Sequence, residues 1–175
     1  MVKLLLHVCC SPCSIYPFEE LLKNNKNEIK GFYFNPNIHP FEEYQKRRAT
    51  LEEYSVRSGL EVVYPEYQPD YFFEKISGNE EKPGRCLACW RMRLEETALF
   101  ARQNGFDSFT TTLLISPYQD HAAIKELGTQ VAKQQNLDFY YQDFRLGFRH
   151  SQAEARQHGL YRQKYCGCVY SKKER

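Results

Sequence analysis

No apolar run in this chain approaches the roughly 20 residues that a membrane-spanning helix needs. The run after Lys3 is short and gives way at once to thiols and a proline, not to a small-residue cleavage site, so neither an anchor nor a secretory leader is expected. Net charge is scarce as well. With 24 basic residues against 22 acidic ones the balance is +2, and the total alone selects no polyanionic partner. Internal repeats and low-complexity tracts are missing, which excludes solenoid and linker-rich architectures. The expectation is a cytoplasmic protein whose residues 1–175 form one domain with an ordinary core.

Absence matters most for cysteine. None lies outside three short clusters: Cys9-Cys10-Ser11-Pro12-Cys13, Cys86-Leu87-Ala88-Cys89 and Cys166-Gly167-Cys168. In a reducing compartment an odd set of seven thiols reads as metal-binding or catalytic, not as a disulfide framework. Grouping suits thiolate ligation. Each cluster delivers ligands from one short piece of backbone, and the fold has only to bring three pieces together.

Charge is uneven along the chain. Residues 145–175 carry eight basic side chains against two acidic ones, a local +6 that leaves residues 1–144 at −4. A basic end on an acidic body suits a phosphate-backbone footprint, although a solvated tail has the same composition. Arg145, Arg149, Arg162, Lys164, Lys172 and Lys173 are the candidates for nucleic-acid contact. Tyr161, Tyr165 and Tyr170 interleave with the last of them as possible stacking platforms, but with 13 tyrosines in the chain their presence discriminates little.

Hydrophobic patterning places the clusters. Residues 3–8 read as a buried parallel strand, after which Ser11 and Pro12 supply an N-cap and a first-turn proline for a helix over 11 to about 25, with Ile15, Phe18, Leu21 and Leu22 on one face. Further strands are expected at 28–35, 60–64, 108–115 and 138–142. Helices are expected at 40–57, 86–103, 121–135 and 151–158, with a short one at 70–76 inside an aromatic, proline-bearing loop over 65–84. Strands alternating with helices imply an α/β fold with a doubly wound, mostly parallel sheet, whose ligands bind outside the carboxyl ends of the strands. Cys9-Cys10 and the turn from Ser116 to His121 both belong on that edge. Cys13 falls in the first turn of a helix, where the partial positive charge favours thiolate.

Several uses of the thiols compete. A structural zinc site usually takes two Cys-x-x-Cys knuckles, and only one exists here. A thioredoxin-like pair at Cys86 and Cys89 leaves five thiols without a role. Seven unpaired core cysteines in three tight groups would be a coincidence. Ligation of a [4Fe–4S] cluster needs four thiolates, tolerates irregular spacing and leaves three for a second metal or a redox pair. Neighbouring side chains on extended backbone point to opposite faces, so Cys9 and Cys10 would not easily grip the same iron but could hold two different ones, and both count with Cys86 and Cys89 among the cofactor-binding candidates. Cys10, Cys86 and Cys89 are placed with the cluster, and the division of Cys9, Cys13, Cys166 and Cys168 stays open.

Four ordered motifs then resemble one family. They are Leu6-His7-Val8-Cys9-Cys10-Ser11-Pro12-Cys13, Gly84-Arg85-Cys86-Leu87-Ala88-Cys89 followed by Trp90-Arg91-Met92-Arg93-Leu94, Thr111-Thr112-Leu113 with Ser116-Pro117-Tyr118, and the ending from Gly159-Leu160-Tyr161 to Cys166-Gly167-Cys168-Val169-Tyr170-Ser171. Together they resemble the QueH-type epoxyqueuosine reductases over essentially the whole chain. The resemblance implies an oxidoreductase of tRNA processing that reduces epoxyqueuosine to queuosine at the wobble position, the last step of queuosine biosynthesis. It further implies independence from cobalamin, a [4Fe–4S] cluster with a further iron nearby, and an external electron donor. The fold implied is similar to the adenine-nucleotide α-hydrolase (HUP-like) fold, here with a cysteine-bearing C-terminal extension.

Epoxide removal also needs a proton donor near the departing oxygen. Asp120 and His121, just past a strand's carboxyl end, are the candidates, with Tyr118 behind them; Asp120 equally suits the cap of the next helix. An ATP-pyrophosphatase-type enzyme would share the strand order, but its Ser-Gly-Gly phosphate loop is replaced here by a turn without glycine. The rival of another class is a zinc-stabilised RNA-binding module without catalysis.

Overall fold

The computed structural model describes residues 2–23 and 27–174. Five parallel strands, β1 (Val2–His7), β2 (Asn27–Phe32), β3 (Val62–Val63), β4 (Ser108–Thr111) and β5 (Asp138–Phe139), form one sheet in the order β3-β2-β1-β4-β5. Leu4, Leu5 and Leu6 of β1 are all buried, as a central parallel strand covered on both faces requires. Order reverses between β1 and β4, so their carboxyl ends bound the crevice where doubly wound sheets bind ligands.

Two helical layers cover the sheet. On one side α1 (Ser11–Lys23) packs against α2 (Phe41–Ser58) and α6 (Phe148–Gln157). On the other α4 (Gly84–Gln103) packs against α3 (Pro69–Ile76) and α5 (His121–Gln135). Right-handed crossovers over this strand order demand that arrangement. Gly59 ends α2 in the left-handed region (φ 76°), its N–H bonded to Ser55 O at 2.9 Å. Gly128 lets α5 lie directly on β5: a Cβ there would stand 2.5 Å from the Phe139 ring. No helix among the described residues is long and apolar enough to cross a membrane.

Several boundaries differ from those expected. The threonine-rich segment 108–115 is strand only to Thr111; Thr112–Ile115 is a 3-10 turn, started by the Thr111 hydroxyl accepting from Leu113 N at 3.1 Å. Thr112 is thereby turned toward Cys9. The strand expected over 28–35 ends at Phe32, although Tyr33 N still donates to Val63 O at 2.9 Å. The strands at 60–64 and 138–142 shrink to two residues each. Ser11 is the first helical residue and not an N-cap, Leu22 is exposed, and the end expected for α1 near residue 25 lies outside the described residues. Both α4 and α6 begin earlier than expected, and a further helix, α7 (Val169–Lys173), closes the chain.

Candidate metal centre at the switch point

Backbone geometry at the end of β1 gathers the first three thiols. The sulfurs of Cys9, Cys10 and Cys13 all lie within 4.8 Å of one another, with Cys9 and Cys10 3.8 Å apart. The expectation that Cys9 and Cys10 point apart is therefore corrected: the chain has left extended conformation at residue 9 and is turning into α1. Thr112 pins this turn across the switch point, accepting from Cys9 N at 3.0 Å and donating to Cys9 Sγ at 3.2 Å. Gln163 Nε2 reaches Cys10 Sγ at 2.8 Å and Cys13 Sγ at 3.4 Å. Hydrogen bonds from Cys10 and Cys13, then from Thr112, hold the Cys9 thiol well below its ordinary pKa. Burial pushes Cys10 up, and hydrogen bonds shared with Cys10 and Cys9 do the same to Cys13.

The other four thiols meet on the neighbouring side. Cys86, Cys89, Cys166 and Cys168 line one cavity of about 580 Å³. Burial raises the Cys86 thiol and pushes Cys89 up to about 12. A second cavity of about 320 Å³ is lined by Cys9, Cys13 and Cys166. Cys10 thus sits with Cys9 and Cys13, while Cys86 and Cys89 face Cys166 and Cys168.

Buried arginines explain how the C-terminal pair is brought in. Arg47, on a helix that reads from sequence as merely charged, is ion-paired to Glu43 at 2.8 Å and donates to the carbonyls of Tyr165 at 2.9 Å and Cys166 at 3.0 Å. Tyr161 donates to the other oxygen of Glu43 at 2.7 Å, and His39 N donates to Gly167 O at 2.9 Å. Arg85 pairs with Glu174 at 2.6 Å and lies under the Tyr170 ring, 4.9 Å from its centroid. Tyr161, Tyr165 and Tyr170 are thus engaged with the protein's own side chains or backbone, Tyr165 through its hydroxyl to the His39 carbonyl. Arg93 is the third buried arginine, 1 % exposed. Its Nε donates weakly to Cys89 O at 3.3 Å, its Nη2 has no partner, and it lines both cavities. Burial works against its charge, and Cys89, Cys166 and Cys9 outweigh that and hold its pKa above the ordinary value.

The proposed proton donors separate. Asp120 caps α5, accepting from Ala123 N at 3.0 Å, and also borders the larger cavity. His121 lines neither cavity: its Nε2 turns back to Ser116 O at 3.2 Å and its Nδ1 stands 4.0 Å from Asp143. Its ring is buried, 8 % exposed, against the loop that carries it. Tyr118 is 85 % exposed on the rim of both cavities, with Phe148 edge-on at 6.1 Å. Arg145, Arg149, Arg162, Lys164, Lys172 and Lys173 are all exposed; Arg145 is paired with Asp143 and Lys164 borders the smaller cavity.

Sheet order and thiol placement define an α/β protein of the HUP-like class with a cysteine-lined site at its switch point. Solved structures share that fold: the U34-tRNA thiolase NcsA from Methanococcus maripaludis with its [4Fe-4S] cluster (TM-score 0.64, 14% identity, 97% of this chain and 61% of that one) and a predicted subunit of tRNA methyltransferase from Methanocaldococcus jannaschii (TM-score 0.54, 13% identity, 90% and 76%). The sequence model described as epoxyqueuosine reductase QueH matches residues 4–174, and the chain belongs to that family. Proteins named epoxyqueuosine reductase QueH are 38% identical in Dehalococcoides mccartyi (99% of this chain, 94% of the relative), 36% in Streptococcus pyogenes (97% and 70%) and 34% in Thermotoga maritima (100% and 93%).

Proposed function

We propose that this chain deoxygenates the epoxide of epoxyqueuosine at the wobble position of tRNA, leaving the alkene of queuosine. The reaction consumes two electrons and two protons and releases water. An external donor in a reducing cytoplasm supplies the electrons, without cobalamin. Beyond family membership, one observation carries the reading: six of the seven thiols line two cavities at the switch point that share Arg93, a buried cation with no carboxylate partner among the described residues, and the seventh, Cys10, sits against Cys9 and Cys13. A buried cation of this kind calls for an anion, and thiolates holding iron supply it.

The donor set fits an iron–sulfur centre with a further iron. Thiolates are soft ligands suited to both. Three sulfurs within 4.8 Å of one another suit a single ion, whereas the four cysteines that line the larger cavity match the number of thiolates a cubane takes. We therefore assign Cys86, Cys89, Cys166 and Cys168 to the cluster and Cys9, Cys10 and Cys13 to the further iron. When bound, these groups supply electrons and Lewis acidity toward the epoxide oxygen. The protein's own residues do the rest. Tyr118 offers a ring at the cavity mouth for an extruded base, and Lys164, Arg162, Lys172 and Lys173 meet backbone phosphate. Asp120 is engaged in its capping bond and orients α5, not the proton.

Iron, zinc and acid-labile sulfide, measured per chain on protein purified without oxygen, test this. About four sulfides with more iron than sulfide is expected, as a cubane beside a separate iron requires. Zinc without sulfide would overturn the reductase chemistry and favour the RNA-binding module.

A further inference from the structure

Arg93 is the buried charged side chain that lines both cavities, the smaller one with Cys9, Cys13 and Cys166 and the larger one with Cys86, Cys89, Cys166 and Cys168. It is 1 % exposed and leaves Nη2 without a hydrogen-bond partner. Arg47 and Arg85 differ in this respect, each having a carboxylate within 2.8 Å. Burying a guanidinium with no anion is costly, and of the two arginines buried on α4 only Arg85 has a carboxylate partner; the residues flanking Arg93 on the helix, Met92 and Leu94, are apolar.

We infer that Arg93 is a positioning residue which serves as the shared counter-charge of both metal groups, holding them in electrostatic contact so that electron gain at one is felt at the other. The inference rests on the iron reading above. A positive charge fixed between two anionic centres favours the more reduced state of each, because every added electron increases the negative charge it faces. In the metal-free protein the same guanidinium keeps only a long bond to the Cys89 carbonyl and an unpartnered Nη2.

Two opposite signs follow from one residue. In metal-free protein, R93M, which keeps the bulk and drops the charge, melts at a temperature equal to or above wild type. In iron-loaded protein R93M melts below wild type, and its reduction midpoint, followed by electron paramagnetic resonance, moves to more negative potential. R93K restores most of that midpoint because the charge remains.

The measurements are melting of wild type, R93M and R93K with and without iron and sulfide, and a reductive titration of the loaded forms. An R93M protein that fails to fold without metal would overturn the inference, making Arg93 a packing residue. An unmoved midpoint in loaded R93M would do the same, as would an R93K shifted as far as R93M. If wild type itself takes up no sulfide, the iron reading fails and not merely the role of Arg93.

Discussion

Arg47 reaches from the middle of α2 to the carbonyl of Cys166 at 3.0 Å, tying the C-terminal segment to the sheet's carboxyl edge. Its other partners, Glu43 and the Tyr165 carbonyl, leave it fully engaged and buried. Replacing Arg47 by Met strands the Glu43 carboxylate, and breaking a buried pair in this way costs about 3–5 kcal/mol. We expect R47M to be cleaved by protease between residues 159 and 168 while its sheet stays intact, and to lose sulfide because Cys166 and Cys168 are released together. A variant with wild-type sulfide and protease resistance would show that the strap is held elsewhere.

The division of the thiols makes a paired prediction. C89A removes a ligand from the four-thiol cavity and should abolish acid-labile sulfide. C13A touches only the compact group at the start of α1 and should keep the sulfide while losing about one iron. Mössbauer spectra of the two proteins distinguish them. Loss of sulfide in both, or in C13A alone, reverses the assignment.

Much of this was legible in the sequence, for identifiable reasons. The run Leu4-Leu5-Leu6 announces a central parallel strand because both of its faces are buried, and the helices expected to end at 57 and 103 end at Ser58 and Gln103. The 3-10 turn at Thr112 was hidden, since a threonine run that favours a strand also supplies the hydroxyl that ends one. Arg47, Arg85, Arg93 and Gln163 were missed as site residues. Each sits in a segment whose charges look like a solvated face, and only the tertiary fold turns them inward. The expectation that Cys9 and Cys10 point apart failed for a local reason: period-two alternation applies to a strand, and the strand has ended by residue 9.

Two buried histidines make stability depend on pH. Burial lowers His7 to about 4, aided by Arg93, and burial lowers His39 to about 4 as well. With folded values below the unfolded 6.5, the unfolded chain takes up protons first. Stability is therefore full above pH 6.5 and falls as pH drops toward 4, by up to about 3 kcal/mol for each group. His39 has no hydrogen-bond partner for either ring nitrogen and packs against Phe72 and Phe73. H39F should therefore unfold in urea with a weaker dependence on pH between 7 and 5; an unchanged dependence would assign the effect elsewhere.

Charge reversal at Lys172 and Lys173 tests the RNA footprint. Both side chains are exposed at the end of α7, clear of the thiols they follow. The double variant K172E/K173E should keep its iron and sulfide, bind tRNA more weakly, and show a salt slope smaller by about 1 for each phosphate no longer neutralised. An unaltered slope would move the footprint away from α7.

Tyr118 separates stacking from acid catalysis. Its ring stands exposed at the rim of both cavities with Phe148 edge-on behind it, a posture suited to a base drawn out of the anticodon loop. Loss of such a stack costs about 1–3 kcal/mol, which is roughly a 5- to 150-fold rise in KM for Y118A with kcat less affected. Y118F keeps the ring and should behave like wild type. The two substitutions divide the possibilities because ring and hydroxyl are removed separately: a kcat collapse in Y118F, with KM unchanged, would make the Tyr118 hydroxyl the donor to the departing oxygen and return proton delivery to the loop between β4 and α5.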